Sequence, residues 1–326
     1  MSRLLALLAA RREYGVGALL VLTMAVVGIV NHGFLAPDNL RDLLIAASQS
    51  IIIACGLTLV MVMGEIDISM GSLTGLLAAL MGLLASSEHL GWPVWAVVLA
   101  VLAAGALVGV LNGLLVTLGR VPSIIATLGT LTLLAGAGEQ LMGGESISGL
   151  PDGLRFFAVG RILGVPTPVV VAVLCVIATT ILCRQTPLGR RIYAVGSNPH
   201  AARLAGLPAA RLKVFAFAFT GLLTAIAALV AVPQQGTINS GVGKQLELLV
   251  VTGVVVGGTA ISGGRGTIIG SALALLLLGM VGNVLIFLQL GPSSTYWERA
   301  IQGAFILGAV LIDHLAQKHA RAGAHA

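Results

Sequence analysis

Charged residues are scarce in this sequence. Asp, Glu, Lys and Arg make up 9% of its 326 residues, against about a quarter in ordinary soluble domains, whereas hydrophobic residues make up 57%. A soluble chain of this length needs a polar surface that so few charges cannot provide. The composition therefore excludes a soluble globular protein and predicts an all-α polytopic membrane protein surrounded by a lipid bilayer.

The sequence also lacks the common patterns of catalysis and ligand binding. Its three cysteines, Cys55, Cys175 and Cys183, lie apart in or beside apolar runs, without metal-binding spacing. None of its three lysines stands in a GxxxxGK[ST] phosphate-binding loop, and neither HExxH nor GxSxG occurs. We therefore expect no catalytic residues, no metal and no cofactor in this chain, and any ATP hydrolysis to take place on a partner subunit.

Long apolar runs indicate the membrane-spanning helices. The run from Leu43 to Ser87 would be about 67 Å long as one helix, roughly twice the membrane, so it must break at the polar residues 64–67. The run from 248 to 290 breaks in the same way at Ser262–Gly266. The ten spans predicted in this single membrane domain (1–326) lie near 15–32, 43–63, 68–87, 93–118, 122–142, 167–184, 212–232, 247–261, 267–290 and 297–314.

Basic residues indicate which side of the membrane is cytoplasmic. With the N-terminus inside, thirteen of the eighteen Lys and Arg residues lie on the inner side of the ten spans, as the positive-inside rule requires. We therefore expect a multi-pass protein of the bacterial inner membrane with both termini in the cytoplasm. This distribution accounts for the net charge of +6, so no nucleic-acid partner is expected.

Polar side chains within or beside the spans are candidates for a translocation path. Every ionisable residue falls at a predicted span end or in a loop, which weighs against an ion-coupled transporter. Asp67 lies at the inner break, where it could shape the path or cap the next helix together with Ser69. The uncharged candidates could bind a polar solute or bond a neighbouring helix. The full set is Gln49, Asp67, Asn112, Thr127 and Glu247, the last near the outer end of its span.

The inner loop of residues 185–211 is one of two long loops between spans, together with the outer segment 143–166. Asn198 is a favoured N-cap, Pro199 suits the first position of a helix, and Gly206 suits a left-handed residue after its end. The pattern predicts a short helix over His200–Ala205. This helix is either a rigid knob that fits a cleft in a partner or part of a plain connector whose arginines fix the topology. The length of the loop and its caps favour the knob.

Glycine spacing predicts close packing between helices. Gly105, Gly109 and Gly113 lie on one face of the span near 93–118, and such a strip of small residues lets two helix backbones approach each other. Gly263 and Gly264 predict a tight turn, since glycine adopts positive φ without strain. These features indicate a compact bundle and carry no information about a solute.

Four segments together resemble the ribose-type permeases of ATP-binding-cassette (ABC) transporters. They are Gly64-Glu-Ile-Asp-Ile-Ser-Met-Gly-Ser, Asn112-Gly-Leu-Leu-Val with Val121-Pro-Ser-Ile-Ile-Ala-Thr-Leu-Gly-Thr, Thr186-Pro-Leu-Gly-Arg-Arg-Ile-Tyr-Ala-Val-Gly-Ser-Asn, and Glu247 with Val255-Val-Gly-Gly-Thr-Ala-Ile-Ser-Gly-Gly-Arg-Gly-Thr. The matches run in order from about residue 40 to 310, most of the chain. Glu65 and the run Gln245-Leu-Glu247 depart from the usual residues of that family.

The resemblance implies the membrane-spanning permease subunit of a type II ABC importer for a monosaccharide or sugar-like molecule. The segment Gly149–Leu154 is similar to the rhamnose and autoinducer-2 branches. The implied partners are two copies of a cytoplasmic ABC ATPase, a periplasmic sugar-binding protein and a second permease, identical or paralogous. The implied ATPase contact includes Gly189, Arg190, Asn198, Ala201, Ala202, Arg203 and Gly206. An ion-coupled secondary transporter or channel is the alternative.

Overall fold

The computed structural model describes residues 12–288, 297, 300–305 and 307–308. Its helices are α1 (Arg12–Val30), α2 (Pro37–Val62), α3 (Met70–Ala85), α4 (Val94–Thr117), α5 (Ser123–Met142), α6 (Asp152–Val159), α7 (Thr167–Gln185), α8 (Pro187–Ser197), α9 (Pro199–Leu204), α10 (Ala209–Ala231), α11 (Leu246–Val256) and α12 (Ile268–Phe287). Short 3-10 helices cover His32–Leu35 and Val232–Gln235, and a small hairpin pairs β1 (Arg161–Ile162) with β2 (Val165–Pro166).

Seven of these helices are long and apolar enough to cross a membrane: α1, α2, α4, α5, α7, α10 and α12. Together with α3 and α11 they coincide, within a few residues at most ends, with the first nine predicted spans. The helices α3 and α11 have 16 and 11 residues, or about 24 and 17 Å, less than the roughly 30 Å core of a bilayer. Ten full crossings therefore remain a prediction. Of the span near 297–314, residues 297, 300–305 and 307–308 are helical, and the others lie outside the described residues.

The span predicted near 247–261 is shorter in the structure. The helix α11 ends at Val256, and the chain turns at Gly258, whose φ is +98°. Glycine adopts this left-handed conformation without strain, so the helix stops here although the sequence stays apolar. The residues that follow, 257–266, form the Gly-rich turn, in which Gly263 and Gly264 have φ of +86° and +78°. The tight turn predicted at these two glycines is confirmed.

The glycine strip of α4 packs directly on the backbone of α10. A Cβ atom added at Gly105 would lie 2.5 Å from the carbonyl oxygen of Gly221, and one at Gly113 would lie 2.7 Å from the Cα of Val214. Between them, Gly109 lies against the carbonyl of Phe217. No side chain fits at these three positions without moving α10, so the close packing predicted from their spacing is confirmed.

An irregular segment, residues 236–245, joins the 3-10 helix after α10 to α11 by running along α3. Ile238 packs near Gly82, and a side chain at Gly75 would approach the carbonyl of Val242 to 3.0 Å. At the start of α3, a Cβ atom on Gly71 would lie 2.7 Å from the carbonyl of Gly243. The first turns of α3 and α11 therefore lie side by side, although they are far apart in the sequence.

Candidate translocation pathway and coupling segment

The α2–α3 break, residues 63–69, is held by bonds to two other helices. Glu65 forms an ion pair with Lys213 of α10. At the next residue, the N–H of Ile66 donates to Ser123 Oγ at 3.1 Å, and Thr127 Oγ1 donates to the carbonyl of Ile66 at 3.3 Å. The hydroxyl of Thr127 also donates to the carbonyl of Ser123 at 2.8 Å, within α5. The break is thus a fixed turn between α5 and α10.

Asp67 lies at the centre of a buried hydrogen-bond network. Its carboxylate accepts from the N–H and the hydroxyl of Ser69 at 2.9 and 2.7 Å, and Asn112 Nδ2 donates to that hydroxyl at 2.9 Å. All three residues are buried, and burial raises the pKa of Asp67, opposed by the bonds from Ser69. The Oδ1 atom of Asn112 has no hydrogen-bond partner among the described residues.

This network bears on the capping role considered for Asp67. The residue before α3 is Ser69, whose side chain makes no capping bond. Asp67 instead closes a local turn by accepting from the backbone two residues later, an arrangement that Asp favours at turns. The carboxylate is enclosed by protein next to the start of α3.

A cavity of about 290 Å³ lies between α3, α5 and the irregular segment. Small residues line part of it, Gly71 and Gly75 on α3 and Gly138 on α5, and the large apolar residues of its lining are Leu76, Leu131, Leu134 and Met142. Glu247, in the first turn of α11, lines it, and its carboxylate occupies the space that a side chain on Gly71 would need. At the same cavity, Lys244 Nζ approaches the Glu139 carboxylate to 3.6 Å.

Glu247 lies at the start of another interrupted helix. It was predicted near the outer end of a span, but it lies beside Gly71, in the first turn of α3. That turn follows the break predicted on the inner side, and the opposite end of α3, about 24 Å away, packs near Ile147 and Ile238. The start of α11, predicted on the outer side, and the start of α3, predicted on the inner side, thus lie side by side. Interrupted helices of this kind are typical of solute sites in transporters.

The five predicted path residues thus fall into three places. Asp67, Asn112 and Thr127 lie together in the buried network around the α2–α3 break, and Glu247 lines the cavity. Gln49 is half-buried on α2, one turn from Ile45, which lines a second cavity of about 470 Å³ together with Arg41 and Gln234. The cavity glycines and the pair of Glu139 with Lys244 were not predicted. The spacing of Gly71 and Gly75 was the available signal for the glycines.

The predicted inner loop is a pair of helices, α8 and α9, which we call the coupling segment (185–211). Asn198 Oδ1 accepts from the N–H of Ala201 at 2.9 Å, and Gly206 has φ of +72° just after α9, so the predicted caps are confirmed. The helix itself covers Pro199–Leu204. The helix α8 was not predicted, although Thr186, which caps it by accepting from Gly189 N–H at 3.1 Å, and the proline after it are typical start signals.

The seven residues named as an ATPase contact divide by exposure. Five are exposed and two are buried. Gly189 packs against the end of α7, and Ala202 belongs to the hydrophobic core, so these two support the segment from within. Leu204, which was not named, leaves 77% of its area exposed at the end of α9. The exposed five are Arg190, Asn198, Ala201, Arg203 and Gly206.

The helix α8 packs on both interruptions of the long apolar runs. Tyr193 Oη donates to the carbonyl of Gly266 at 2.7 Å, and Ser197 Oγ donates to the carbonyl of Gly264 at 3.4 Å. Gly196 lies against the carbonyl of Val62, at the start of the α2–α3 break. Val62 in turn accepts from the N–H of Gly264 at 2.7 Å. The coupling segment, the break and the Gly-rich turn therefore form one contiguous cluster.

Residues 39–310 match the family described as branched-chain amino acid transport system / permease component. The chain belongs to this family. The permease is 35% identical over 300 residues to the ribose import permease protein RbsC of Haemophilus influenzae, covering 90% of this chain and 91% of that protein. It is 36% identical over 297 residues to RbsC of Bacillus subtilis, covering 90% of each. No solved structure matches it.

A third relative is the autoinducer 2 import system permease protein LsrC of Yersinia pseudotuberculosis, 35% identical over 300 residues that cover 92% of this chain and 84% of that protein. The family match and these relatives establish a multi-pass, all-α membrane permease of the ribose type, as the four sequence segments indicated. Among the described residues, no three His, Cys, Asp or Glu side chains are grouped so that they could hold a metal ion.

Proposed function

We propose that the permease imports a monosaccharide or sugar-like molecule as the membrane-spanning subunit of an ABC importer. The names of its relatives, import permeases for ribose and for autoinducer 2, support this substrate class. They also disfavour the alternative of an ion-coupled secondary transporter or channel. ATP would bind to a separate subunit, since the sequence has no phosphate-binding loop. The permease itself would be neither an enzyme nor dependent on a cofactor.

The observation that carries the proposal is the path from the coupling segment to the cavity. Tyr193 and Ser197 of α8 donate hydrogen bonds to the Gly-rich turn, which directly follows the last residue of α11 in the chain. The helix α11 is a rigid rod about 17 Å long, and Glu247 stands in its first turn at the cavity. A displacement of the coupling segment would therefore reach the cavity through one short helix.

The proposed partners follow from the two sides of the molecule. Two copies of a cytoplasmic ABC ATPase would contact the coupling segment through its exposed residues Arg190, Arg203 and Leu204. A periplasmic sugar-binding protein would deliver the substrate from outside, and a second permease, identical or paralogous, would complete the membrane domain. The excess of basic residues on the predicted inner side supports this orientation in the inner membrane, with both termini in the cytoplasm.

Within the permease, we assign the substrate path to the cavity at Glu247. A carboxylate can accept hydrogen bonds from two sugar hydroxyl groups, and bonds to a charged acceptor are stronger than neutral ones. The start of α3 would be kept in position by the buried network of Asp67, Asn112 and Thr127. Gln49 is assigned no part in this path, because it lines neither the cavity nor the buried network.

The first test is an affinity purification of the tagged permease from detergent-solubilised native membranes, with the co-purifying subunits identified by mass spectrometry. We expect an ABC ATPase, and the presence or absence of a second permease sequence would distinguish a homodimer from a heterodimer. Recovery of this chain alone, under conditions in which a known importer stays assembled, would favour the secondary transporter.

A second test separates the coupling segment from the rest of the fold. Arg203→Glu should abolish co-purification of the ATPase and sugar uptake without lowering the melting temperature of the membrane domain, because Arg203 is exposed. Arg155→Glu, which changes an exposed arginine on α6, is the matched control and should retain the ATPase. Survival of both ATPase binding and uptake in Arg203→Glu would contradict the assigned contact.

A further inference from the structure

Lys213 and Glu65 form an ion pair that is partly withdrawn from solvent. Lys213 Nζ donates to the carboxylate of Glu65, and the two side chains leave 27% and 15% of their area exposed. By comparison, the pair of Arg155 and Asp152 on α6 leaves 47% and 99% exposed. Water and salt screen an exposed pair strongly and a partly buried pair much less. Removal of one partner therefore leaves the other charge poorly solvated.

The pair joins the helix that follows the coupling segment to the α2–α3 break. Lys213 lies in the second turn of α10, and the connection from α9 is short: the N–H of Leu207 donates to the carbonyl of Ala202 at 3.0 Å. Glu65 lies two residues before Asp67, whose network holds the start of α3. A movement of the coupling segment that displaces α10 acts directly on this ion pair.

The other bonds of the break are of a different kind. Ile66 bonds α5 through Ser123 and Thr127, and the Asp67 network reaches α4 through Asn112. Neither hydrogen-bond network includes a residue of the coupling segment or of α10. The coupling segment reaches the break, and α10 reaches α4, by packing alone, at Gly196 and at Gly113 respectively. Among the hydrogen bonds and ion pairs described for residues 63–69, the contact between Glu65 and Lys213 of α10 is the ion pair. It is therefore the contact suited to transmit a displacement of α10 to the break.

We propose that the ion pair between Lys213 and Glu65 is the positioning contact that makes the α2–α3 break follow the coupling segment. A movement of the break would displace the start of α3 through Asp67 and Ser69. Gly71, which lines the cavity, would move with it. This inference rests on the proposed function, because it requires an ATPase that moves the coupling segment. A pair that merely fastens α10 to the break would lower stability when broken but would leave sugar uptake per ATP unchanged.

The test uses the complete importer, with its ATPase and binding protein, in proteoliposomes. Sugar uptake and ATP hydrolysis are measured together for Glu65→Gln, Lys213→Gln and the charge-swapped double variant Glu65→Lys/Lys213→Glu. In each single variant we expect uptake per ATP hydrolysed to fall about tenfold, equivalent to ~1.4 kcal/mol of lost coupling. The double variant should recover most of this loss. Arg155→Glu, in the exposed pair on α6, is the control and should keep the wild-type ratio.

Three results would overturn the inference. The first is a wild-type ratio in the single variants, even if their melting temperatures fall, because a fastening role predicts this result. The second is a double variant as impaired as the single ones. The third is a wild-type complex that does not import sugar, which rejects the proposed function itself before any variant is compared. If the single variants do not fold, the double variant Glu65→Gln/Lys213→Met decides: it removes the ion pair without leaving an uncompensated charge, and a wild-type ratio would reject the inference.

Discussion

Tyr193 and Gly266 are joined by a hydrogen bond of 2.7 Å, from the phenol hydroxyl to the backbone carbonyl. The bond connects α8 of the coupling segment to the Gly-rich turn before α12. Burial raises the pKa of Tyr193, so the phenol keeps its proton well above neutral pH. The contact therefore does not change with protonation under physiological conditions.

Replacement of Tyr193 by Phe should weaken the link between the coupling segment and the Gly-rich turn. The ring remains, but the carbonyl of Gly266 loses its donor, which should lower the free energy of unfolding by about 0.5–1.5 kcal/mol. We also expect less sugar uptake per ATP hydrolysed. Both are measured on the purified importer, and the difference from wild type should be the same at neutral and mildly alkaline pH. Wild-type stability and uptake in this variant would show that the bond is dispensable.

Replacement of Gly109 by Ala should destabilise the bundle. Its new Cβ would meet the carbonyl of Phe217 and would lie 2.8 Å from the Cα of Ala218, so α4 and α10 must separate. Overpacking of this kind costs about 1–3 kcal/mol. Gly129→Ala in α5 is the control, because nothing lies within 4 Å of a Cβ at that position. Its stability should be unchanged or up to ~1 kcal/mol higher, since alanine favours helices. Thermal unfolding in detergent measures both, and equal midpoints would contradict the packing described.

Replacement of Asp67 by Asn should preserve the fold and uptake, whereas Asp67→Ala should lose about 1–3 kcal/mol of stability. The oxygen of Asn can accept both bonds from Ser69, and Ala can accept neither. Because burial raises the pKa of Asp67 above its ordinary 3.8, the unfolded chain releases this proton at lower pH than the folded chain. The wild type therefore loses stability as the pH rises above 3.8 towards the folded pKa, and Asp67→Asn does not.

To test this, the melting temperatures of the wild type and of Asp67→Asn are measured over a series of pH values, and sugar uptake by both is measured at neutral pH. The melting temperature of Asp67→Asn relative to that of the wild type should rise as the pH increases from 3.8 towards the folded pKa of Asp67. Loss of uptake in a well-folded Asp67→Asn protein would show that the substrate or the cycle requires the negative charge itself. The supporting role assigned to this residue would then be wrong.

Replacement of Glu247 by Gln should weaken substrate handling without unfolding the protein. The side chain keeps its size beside Gly71, but each hydrogen bond to a sugar hydroxyl changes from one to a charged acceptor to a neutral one, a loss of about 1–1.5 kcal/mol per bond. We expect the sugar concentration for half-maximal uptake to rise at least about tenfold, with an unchanged melting temperature. Glu145→Gln, which makes the same change at an exposed glutamate that does not line the cavity, is the matched control. A wild-type uptake curve for Glu247→Gln would remove the cavity from the path.

The helices could be predicted from the sequence because apolar runs and their interruptions are local features. The span predicted near 93–118 is the helix Val94–Thr117, and that near 122–142 is Ser123–Met142. The helix α8 was missed because its residues 187–197 are polar enough to pass for a loop. It buries Ile192 and Val195 against the ends of other helices, and such burial depends on tertiary packing rather than on an apolar run.

The candidate site could be predicted only in part. Polar residues in apolar surroundings can be identified one at a time, and Asp67, Asn112 and Glu247 were identified in this way. Their neighbours depend on contacts between distant parts of the chain. No local pattern indicates that the irregular segment 236–245 follows α3, so the meeting of Glu247 with Gly71 could not be foreseen.

The cavity wall also imposes an order on biosynthesis. Gly71 and Gly75 enter the membrane early, but Gly243 and Glu247, against which the start of α3 packs, are translated only after α10. Until then the nascent chain presents bare glycine backbone and the unfilled side of α3 to lipid or to the insertion machinery. The segment 236–247 therefore completes the cavity, and a chain that stops before it lacks that wall.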